Sequence, residues 1–126
     1  MKYRLRCLKT NKLIDDNYTL HYTDNALLRA EYFQPFQLNE EETGVWKYVS
    51  WLPVSQPSQY VAGTITYKAE KLGHALGLNN LWVSFNGYWP ERGGLCPTGS
   101  FKDMEAVPTL QRIHDHNVKG LICASA

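Results

Sequence analysis

The stretch from Pro97 to Ile113 limits most strongly what this chain can fold into. Its apolar residues recur at every third position, at Phe101, Met104, Val107, Leu110 and Ile113. That spacing lines one face of a helix. Ser100 is followed three residues later by Asp103, as in a capping box, where the serine oxygen accepts a hydrogen bond from an early helix N–H. The sequence therefore predicts a helix that begins beside a loop, presents free N–H groups there and carries Lys102 in its first turn.

Three further elements are predicted around this helix. Thr66 caps a second helix, which ends at Gly77 as a glycine C-cap. Its buried residues are expected to be Ala69, Leu72 and Leu76. The run 81–85 is typical of a buried strand, and the apolar run Gly120–Ala124 indicates a buried parallel strand. Helix, strand, helix, strand is the order of an open twisted α/β sheet, which is the fold class that we predict.

The amino-terminal half is predicted to begin with a β-hairpin. Residues 1–24 alternate in strand fashion, with a turn at residues 15–17. The residues that share a face are Tyr3, Leu5 and Cys7 on one strand, and Tyr18, Leu20 and Tyr22 on the other. Residues 25–37 form a short element of either type. A third strand is indicated by alternating aromatic residues, which are Trp46, Tyr48 and Trp51. In the predicted helix that carries Lys102, Pro108 should cause a kink or a split at Val107.

Composition excludes several classes of partner. A net charge of +1 and a pI near 7.7 give no electrostatic footprint for nucleic acid or an anionic membrane, so neither is expected. Three widely spaced cysteines do not form a disulfide framework, which indicates a reducing compartment. The amino end has no apolar signal region, and no run is long enough to cross a bilayer. We therefore expect a cytoplasmic protein.

Lys102 admits two interpretations, because cations are disfavoured near a helix N-terminus. In the first, it is an exposed lysine whose stem lies across a neighbour. In the second, its amine forms a Schiff base with a carbonyl cofactor, while helix N–H groups hold an anion such as a cofactor phosphate. Nearby, Arg92 with Gly93 and Gly94 could bind a substrate anion, or could simply form a loop. Cys96 is a candidate reactive thiol or a small loop residue without a role.

A family resemblance favours the second interpretation. Residues 97–103 resemble the pyridoxal-phosphate lysine motif of threonine synthases and their relatives, the fold type II (β-family) enzymes. Trp46-Lys47-Tyr48, Leu52-Pro53 and residues 67–81 resemble further threonine-synthase segments. Residues 84–93 and 101–113 are similar to cysteate synthases, an offshoot of that family. The resemblance extends over nearly the whole chain.

The resemblance implies a pyridoxal-phosphate enzyme that performs β-elimination and replacement on an O-phospho-amino acid. Lys102 would hold the cofactor and act as a general base, and Thr98, Ser100 and Arg92 would bind the substrate. Thr98 and Ser100 could equally serve only as helix caps. Sulfite is the first choice of nucleophile, giving cysteate from phosphoserine in coenzyme M biosynthesis. The whole protein would be a homo-oligomer that binds a small amino-acid substrate.

Two alternatives remain open at this point. The first is a threonine synthase, with phosphohomoserine as substrate and water as nucleophile. Met104-Glu105 stands where those enzymes usually place an arginine, which disfavours threonine as the product. In contrast, the tripeptide Thr98-Gly99-Ser100 has the sequence typical of threonine synthases. The second alternative is a module without catalytic activity that binds anions or a partner.

The resemblance also implies a division of the chain. Residues 1–38 would be a zinc-ribbon-like hairpin and connector that has lost its metal, because only Cys7 and His21 remain at ligand positions and structural zinc needs four. Residues 39–126 would be the amino-terminal part of the cofactor-binding α/β domain. The cofactor's phosphate cradle and ring contacts would lie beyond residue 126, so the chain alone is expected to be an inactive fragment.

Overall fold

A computed structural model describes residues 2–17 and 25–122. The helices of these residues are α1 (Glu70–Leu76) and α2 (Asp103–Asp115), with short 3₁₀ helices at Gly44–Tyr48 and Pro90–Arg92. Their strands are β1 (Tyr3–Cys7), β2 (Leu13–Ile14), β3 (Leu28–Tyr32), β4 (Ile65–Lys68), β5 (Trp82–Phe85), β6 (Tyr88–Trp89) and β7 (Gly94–Leu95). The mixed α and β content agrees with the predicted class.

The strands form three small antiparallel sheets. The first has the order β2-β1-β3, with Leu5 opposite both Ile14 and Ala30. The second pairs β4 with β5, and the third pairs β6 with β7. Within the described residues, every strand pairing is antiparallel, so the predicted open sheet with a parallel strand is wrong for this part of the chain. Fold type II remains a prediction.

The amino-terminal sheet agrees with part of the predicted hairpin. Tyr3 and Cys7 are buried on one face of β1. After Cys7 the chain turns tightly, because the Cys7 N–H donates to Lys12 O at 2.9 Å and the Thr10 N–H points at Cys7 Sγ at 3.4 Å. The predicted second strand, at Tyr18, Leu20 and Tyr22, lies outside the described residues, as does His21. The predictions of a ribbon without its metal and of a division at residue 38 therefore stay predictions.

Trp46 lies at the centre of the hydrophobic core. It is 1% exposed, and with Val45 and Val54 it forms a cluster on which Met104 and Val107 of α2 pack. Its indole Nε1 donates to Tyr60 O at 2.7 Å. The strand predicted from the aromatic alternation here is wrong, because the segment is the 3₁₀ helix Gly44–Tyr48. Tyr48 and Trp51 are partly exposed instead of sharing a buried face.

The shorter helix was predicted with the right end and the wrong beginning. Gly77 adopts the left-handed conformation and caps α1, as expected. Thr66 lies in β4, and the cap position is held by Ala69. Gly73 is the buried residue of this helix, whereas Leu72 and Leu76 are exposed, so the predicted apolar face is wrong. The strand predicted at 81–85 is confirmed as β5, but its predicted burial is wrong, because Trp82 is 56% exposed and no residue of β5 is fully buried.

The lysine helix forms and differs in detail from the prediction. It runs without a split across Pro108, so the split predicted at Val107 is wrong, while the alternative, a kink, stays a prediction. Its buried positions include Gln111 and Ile113, whereas Phe101 and Leu110 are exposed. Beyond the helix, residues 120–122 have no regular structure and are exposed. The buried strand predicted at Gly120–Ala124 is therefore wrong for its described part.

Arg112 joins α2 to the amino-terminal sheet. One guanidinium nitrogen, Nη2, donates to both carboxylate oxygens of Asp16, at 2.7 and 2.8 Å, and the side chains are 20% and 12% exposed. The guanidinium also donates to Pro53 O at 3.0 Å and to the hydroxyl of Tyr3 at 3.2 Å. Tyr3 in turn donates a short hydrogen bond to Asp16. One cation therefore holds three separate segments of the chain together.

Tyr3 should make the stability of the chain depend on alkaline pH. Burial, together with the hydrogen bond to Asp16, raises the pKa of Tyr3 to about 12. An unperturbed tyrosine ionises near pH ~10, so the unfolded chain loses this proton first. The stability contributed by Tyr3 is then complete below pH ~10 and is lost as the pH rises to about 12.

The measurement is urea unfolding of the wild type and of Tyr3→Phe across this range. The wild type should lose up to about 2.7 kcal/mol of unfolding free energy relative to Tyr3→Phe. Tyr3→Phe has no phenol to ionise at this position. Comparing the two proteins therefore cancels the effect of other groups that titrate at high pH. A constant difference between the two proteins over this range would contradict the prediction.

No helix of residues 2–17 and 25–122 combines the length and the apolar character that crossing a membrane requires.

Candidate functional site

A tight turn carries the predicted site residues Thr98, Ser100 and Lys102. The N–H of Gly99 donates to Cys96 O at 3.0 Å, and Gly99 adopts φ +76° with open space where a side chain would lie. Asp103, the first residue of α2, accepts from the N–H of Thr98 at 3.0 Å and from its hydroxyl at 2.8 Å. The carboxylate therefore closes the turn through Thr98, whereas the capping-box pattern predicted a pairing of Asp103 with Ser100.

Most of the N–H groups that were predicted to be free at the start of α2 make hydrogen bonds. The Lys102 N–H donates to Ser100 Oγ at 3.2 Å, so the serine hydroxyl does accept from an early N–H. The next two N–H groups donate to the carbonyl oxygens of Ser100 and Phe101, at 3.2 and 3.0 Å. Within the described residues, the N–H groups that make no hydrogen bond here are those of Ser100 and Phe101. An anion at this turn would bind these two donors, on the loop side of the helix.

Lys102 itself occupies the N-cap position of α2 and is exposed. The neighbouring Phe101 is 62% exposed, so it does not head a buried stripe as the spacing predicted. A lysine at this place can be reached from solvent by a carbonyl compound. Its backbone is held on both sides, by Ser100 before it and by the first turn of α2 after it.

Cys96 anchors the turn to the body of the protein. Its side chain is fully buried, and Sγ donates to Gly63 O at 3.3 Å. The neighbouring N–H of Leu95 donates to the same carbonyl at 2.8 Å, and the N–H of Cys96 donates to Gly87 O at 3.1 Å. A buried thiol of this kind is inert. The geometry therefore favours an anchoring role over the reactive role that the sequence left open.

Arg92 lies apart from the turn that carries Thr98, Ser100 and Lys102. Its guanidinium lies 4.9 Å from the centre of the Trp89 ring, in a cation–π contact at the end of the 3₁₀ helix Pro90–Arg92. Within the described residues, no hydrogen bond or ion pair joins it to Thr98, Ser100 or Lys102. The structure thus groups three of the four predicted site residues and leaves the fourth apart.

A cleft of about 470 Å³ lies toward the other end of α2. Its charged lining residues are Lys2, Asp16, Arg112 and Asp115, and His116 also lines it. Burial raises the pKa of Asp115, but hydrogen bonds from the N–H and hydroxyl of Ser55 outweigh it and hold this pKa below its usual value. Sequence reasoning did not single out Lys2, Asp16 or Arg112, because their partners lie far away in the sequence.

Comparison with known proteins finds cysteate synthases along nearly the whole chain. The protein from Methanosarcina barkeri is 42% identical over 125 residues, which are 98% of this chain and 30% of that protein. The protein from Methanosarcina mazei is 42% identical over 126 residues, 99% of this chain and 30% of that protein. The protein from Methanoculleus marisnigri is 42% identical over 127 aligned positions, with the same two shares, 99% and 30%. The chain is homologous to part of the cysteate synthases.

This finding confirms the predicted resemblance to cysteate synthases. The chain spans about 30% of the length of the curated cysteate synthases that it matches. No protein-family model matches the chain, and no solved structure matches it either. The homology supports an enzyme as the parent protein, while the roles of Lys102 and its neighbours remain proposals.

Proposed function

We propose that this chain is the amino-terminal part of a pyridoxal-phosphate enzyme that makes cysteate from phosphoserine and sulfite. The observation that carries the proposal is 42% identity to cysteate synthases over 98–99% of the chain. The whole protein would work on a small amino-acid substrate in the cytoplasm, as a homo-oligomer.

The residues present fit one part of what pyridoxal phosphate needs. The cofactor's aldehyde requires a primary amine that it can reach, and Lys102 is exposed on a turn whose backbone is held by hydrogen bonds. The N–H groups of Ser100 and Phe101, which have no acceptor among the described residues, lie in the same turn. When bound, the cofactor supplies the electron sink for the departure of phosphate from the substrate.

Residues of this chain would hold the cofactor, accept a proton and bind the substrate. Lys102 holds the cofactor covalently, and its amine, once released, accepts the α-proton of the substrate. The hydroxyl of Ser100 lies beside the Lys102 backbone and orients the turn. Thr98 donates its hydroxyl to Asp103, so a substrate carboxylate would have to compete with Asp103 for this donor. Ser100 is therefore the better candidate of the two for substrate binding.

The proposal predicts selective labelling of Lys102. The chain is fused to the remaining part of the Methanosarcina mazei cysteate synthase, treated with pyridoxal phosphate, reduced with borohydride and mapped by mass spectrometry. The adduct should lie on Lys102, because its turn is braced and the rest of the enzyme supplies the enclosing contacts. The fusion should also release phosphate from phosphoserine when sulfite is present, and Lys102→Ala should abolish both results.

The controls are the exposed lysines Lys68, Lys71 and Lys119. An adduct on one of these instead of Lys102 would refute the assignment of the lysine. The unfused chain should show weak labelling spread over several lysines and no release of phosphate. Selective labelling together with turnover by the unfused chain would instead show that residues 1–126 form an enzyme by themselves.

A further inference from the structure

The ammonium group of Lys2 lies inside a cup of backbone carbonyl oxygens. Its Nζ donates to Val49 O at 2.6 Å, to Val54 O at 2.9 Å and to Leu52 O at 3.3 Å. These three contacts match the three donors of a lysine ammonium. Lys2 and its partners are separated by 47 to 52 positions in the sequence, so the cup is formed by the tertiary fold.

The cup carries negative electrostatic potential for a structural reason. The chain at Tyr48–Leu52 continues the 3₁₀ helix as further turns, because the N–H of Trp51 and the N–H of Leu52 both donate to Tyr48 O. Carbonyl groups at the end of a helical segment carry a partial negative charge. Burial lowers the pKa of Lys2, and the charge of Asp115 opposes that effect. The site thus holds a partly desolvated cation among oxygen atoms, with one carboxylate nearby.

Side-chain contacts surround the loop that provides the cup. Arg112 donates to Pro53 O at 3.0 Å, and Asp115 accepts from the N–H and the hydroxyl of Ser55 at 2.6 and 2.8 Å. Together with Lys2, which directly precedes β1, these contacts join the loop 49–55 to the amino-terminal end of the chain and to α2. A cation in the cup adds to the contacts that hold this loop, because its charge attracts the three carbonyl oxygens that surround it.

We propose that the carbonyl oxygens of Val49, Leu52 and Val54 form a monovalent-cation site, which Lys2 fills from within the chain. The distances suit ammonium hydrogen bonds, and rings of backbone carbonyl oxygens replace the hydration shell of potassium in channel filters. Removing the lysine side chain should therefore leave a site for free ammonium or potassium. Sodium is smaller and should fit less well, and tetramethylammonium is too large and donates no hydrogen bond.

The test is thermal unfolding of Lys2→Ala in chloride salts of ammonium, potassium, sodium and tetramethylammonium at equal ionic strength. In tetramethylammonium chloride, the melting temperature should lie roughly 5 to 10 °C below that of the wild type. Ammonium or potassium should restore at least half of this loss, because a ligand that binds the folded state stabilises it by mass action. The wild type should respond alike to all four salts.

Lys12→Ala is the matched control, since Lys12 is exposed in the connection between β1 and β2. It should melt close to the wild type in every salt. The proposal is overturned if Lys2→Ala responds equally to all four cations, or if it melts at the wild-type temperature in tetramethylammonium chloride.

A second measurement needs no variant and decides the matter if Lys2→Ala does not fold. Nitrogen-15 spectra of the lysine ammonium groups in the wild-type chain report how fast their protons exchange with water. Lys2 should exchange at least roughly tenfold more slowly than Lys12, because its protons are held by carbonyl oxygens. Equal exchange rates for Lys2 and Lys12 would overturn the proposal.

Discussion

Replacing Trp46 by alanine is expected to lower the free energy of unfolding by about 3 to 5 kcal/mol. The indole is 1% exposed and forms a buried cluster with Val45 and Val54, on which Met104 and Val107 of α2 pack. The substitution removes the apolar contacts of a large ring and leaves a cavity. It also takes away the hydrogen bond to Tyr60 O. Because domains are stable by only about 5 to 15 kcal/mol, much of the total stability would be lost.

Trp82→Ala is the matched control, since Trp82 is 56% exposed on β5 and its indole Nε1 donates to the nearby Asn80. This variant should change the stability by less than about 1 kcal/mol. Urea unfolding followed by circular dichroism measures both variants. Similar losses for the two tryptophans would show that Trp46 is not the centre of the core.

A methyl group at Gly44 should cost more than about 3 kcal/mol. Gly44 adopts φ +58°, and a Cβ there would lie 2.1 Å from Ala62 O and 2.9 Å from Val61 Cγ1. The carbonyl belongs to the backbone and cannot turn aside. It also accepts the N–H of Val45 at 2.7 Å, so moving the two segments apart breaks this bond beside the buried Trp46. Gly44→Ala should therefore disturb the core as well as the turn.

Gly77→Ala is a control that separates the cost of a left-handed backbone from the cost of a steric clash. Gly77 adopts φ +70°, yet a Cβ at this position would meet nothing within 4 Å. Its substitution should cost only the left-handed strain, about 1 to 2 kcal/mol. Parallel denaturant curves of the two variants measure the difference. If Gly77→Ala were as destabilising as Gly44→Ala, the close approach of Gly44 to Ala62 would have no energetic consequence.

The substitutions of Trp46 and Trp82 also bear on the proposed site. Met104 and Val107, which pack on the Trp46 cluster, belong to the helix whose first turn carries Lys102. A chain with a disturbed core should hold this turn less firmly. We therefore expect Trp46→Ala to reduce the selectivity of labelling at Lys102 in the fused enzyme, while Trp82→Ala leaves it unchanged.

Local features were predicted well from the sequence alone. The helix that follows Lys102, the glycine cap at Gly77 and the strand at 81–85 depend on spacing and on backbone preferences within a few residues. The lysine motif is local as well, and the structure does bring Thr98, Ser100 and Lys102 into one turn. The homology to cysteate synthases agrees with the resemblance of residues 84–93 and 101–113 to that family.

Other features were decided by the tertiary structure. Alternating aromatic residues indicated a strand at Trp46, but burial of one indole on α2 favoured a 3₁₀ helix. The apolar spacing placed Phe101 and Leu110 in the core, although only the neighbours available in space determine which face is covered. Arg112 contacts Tyr3 across 109 positions, and Lys2 meets its carbonyl cup across about 50. A charged side chain carries no local sign of such a partner, because the partner's atoms meet it only after the chain has folded.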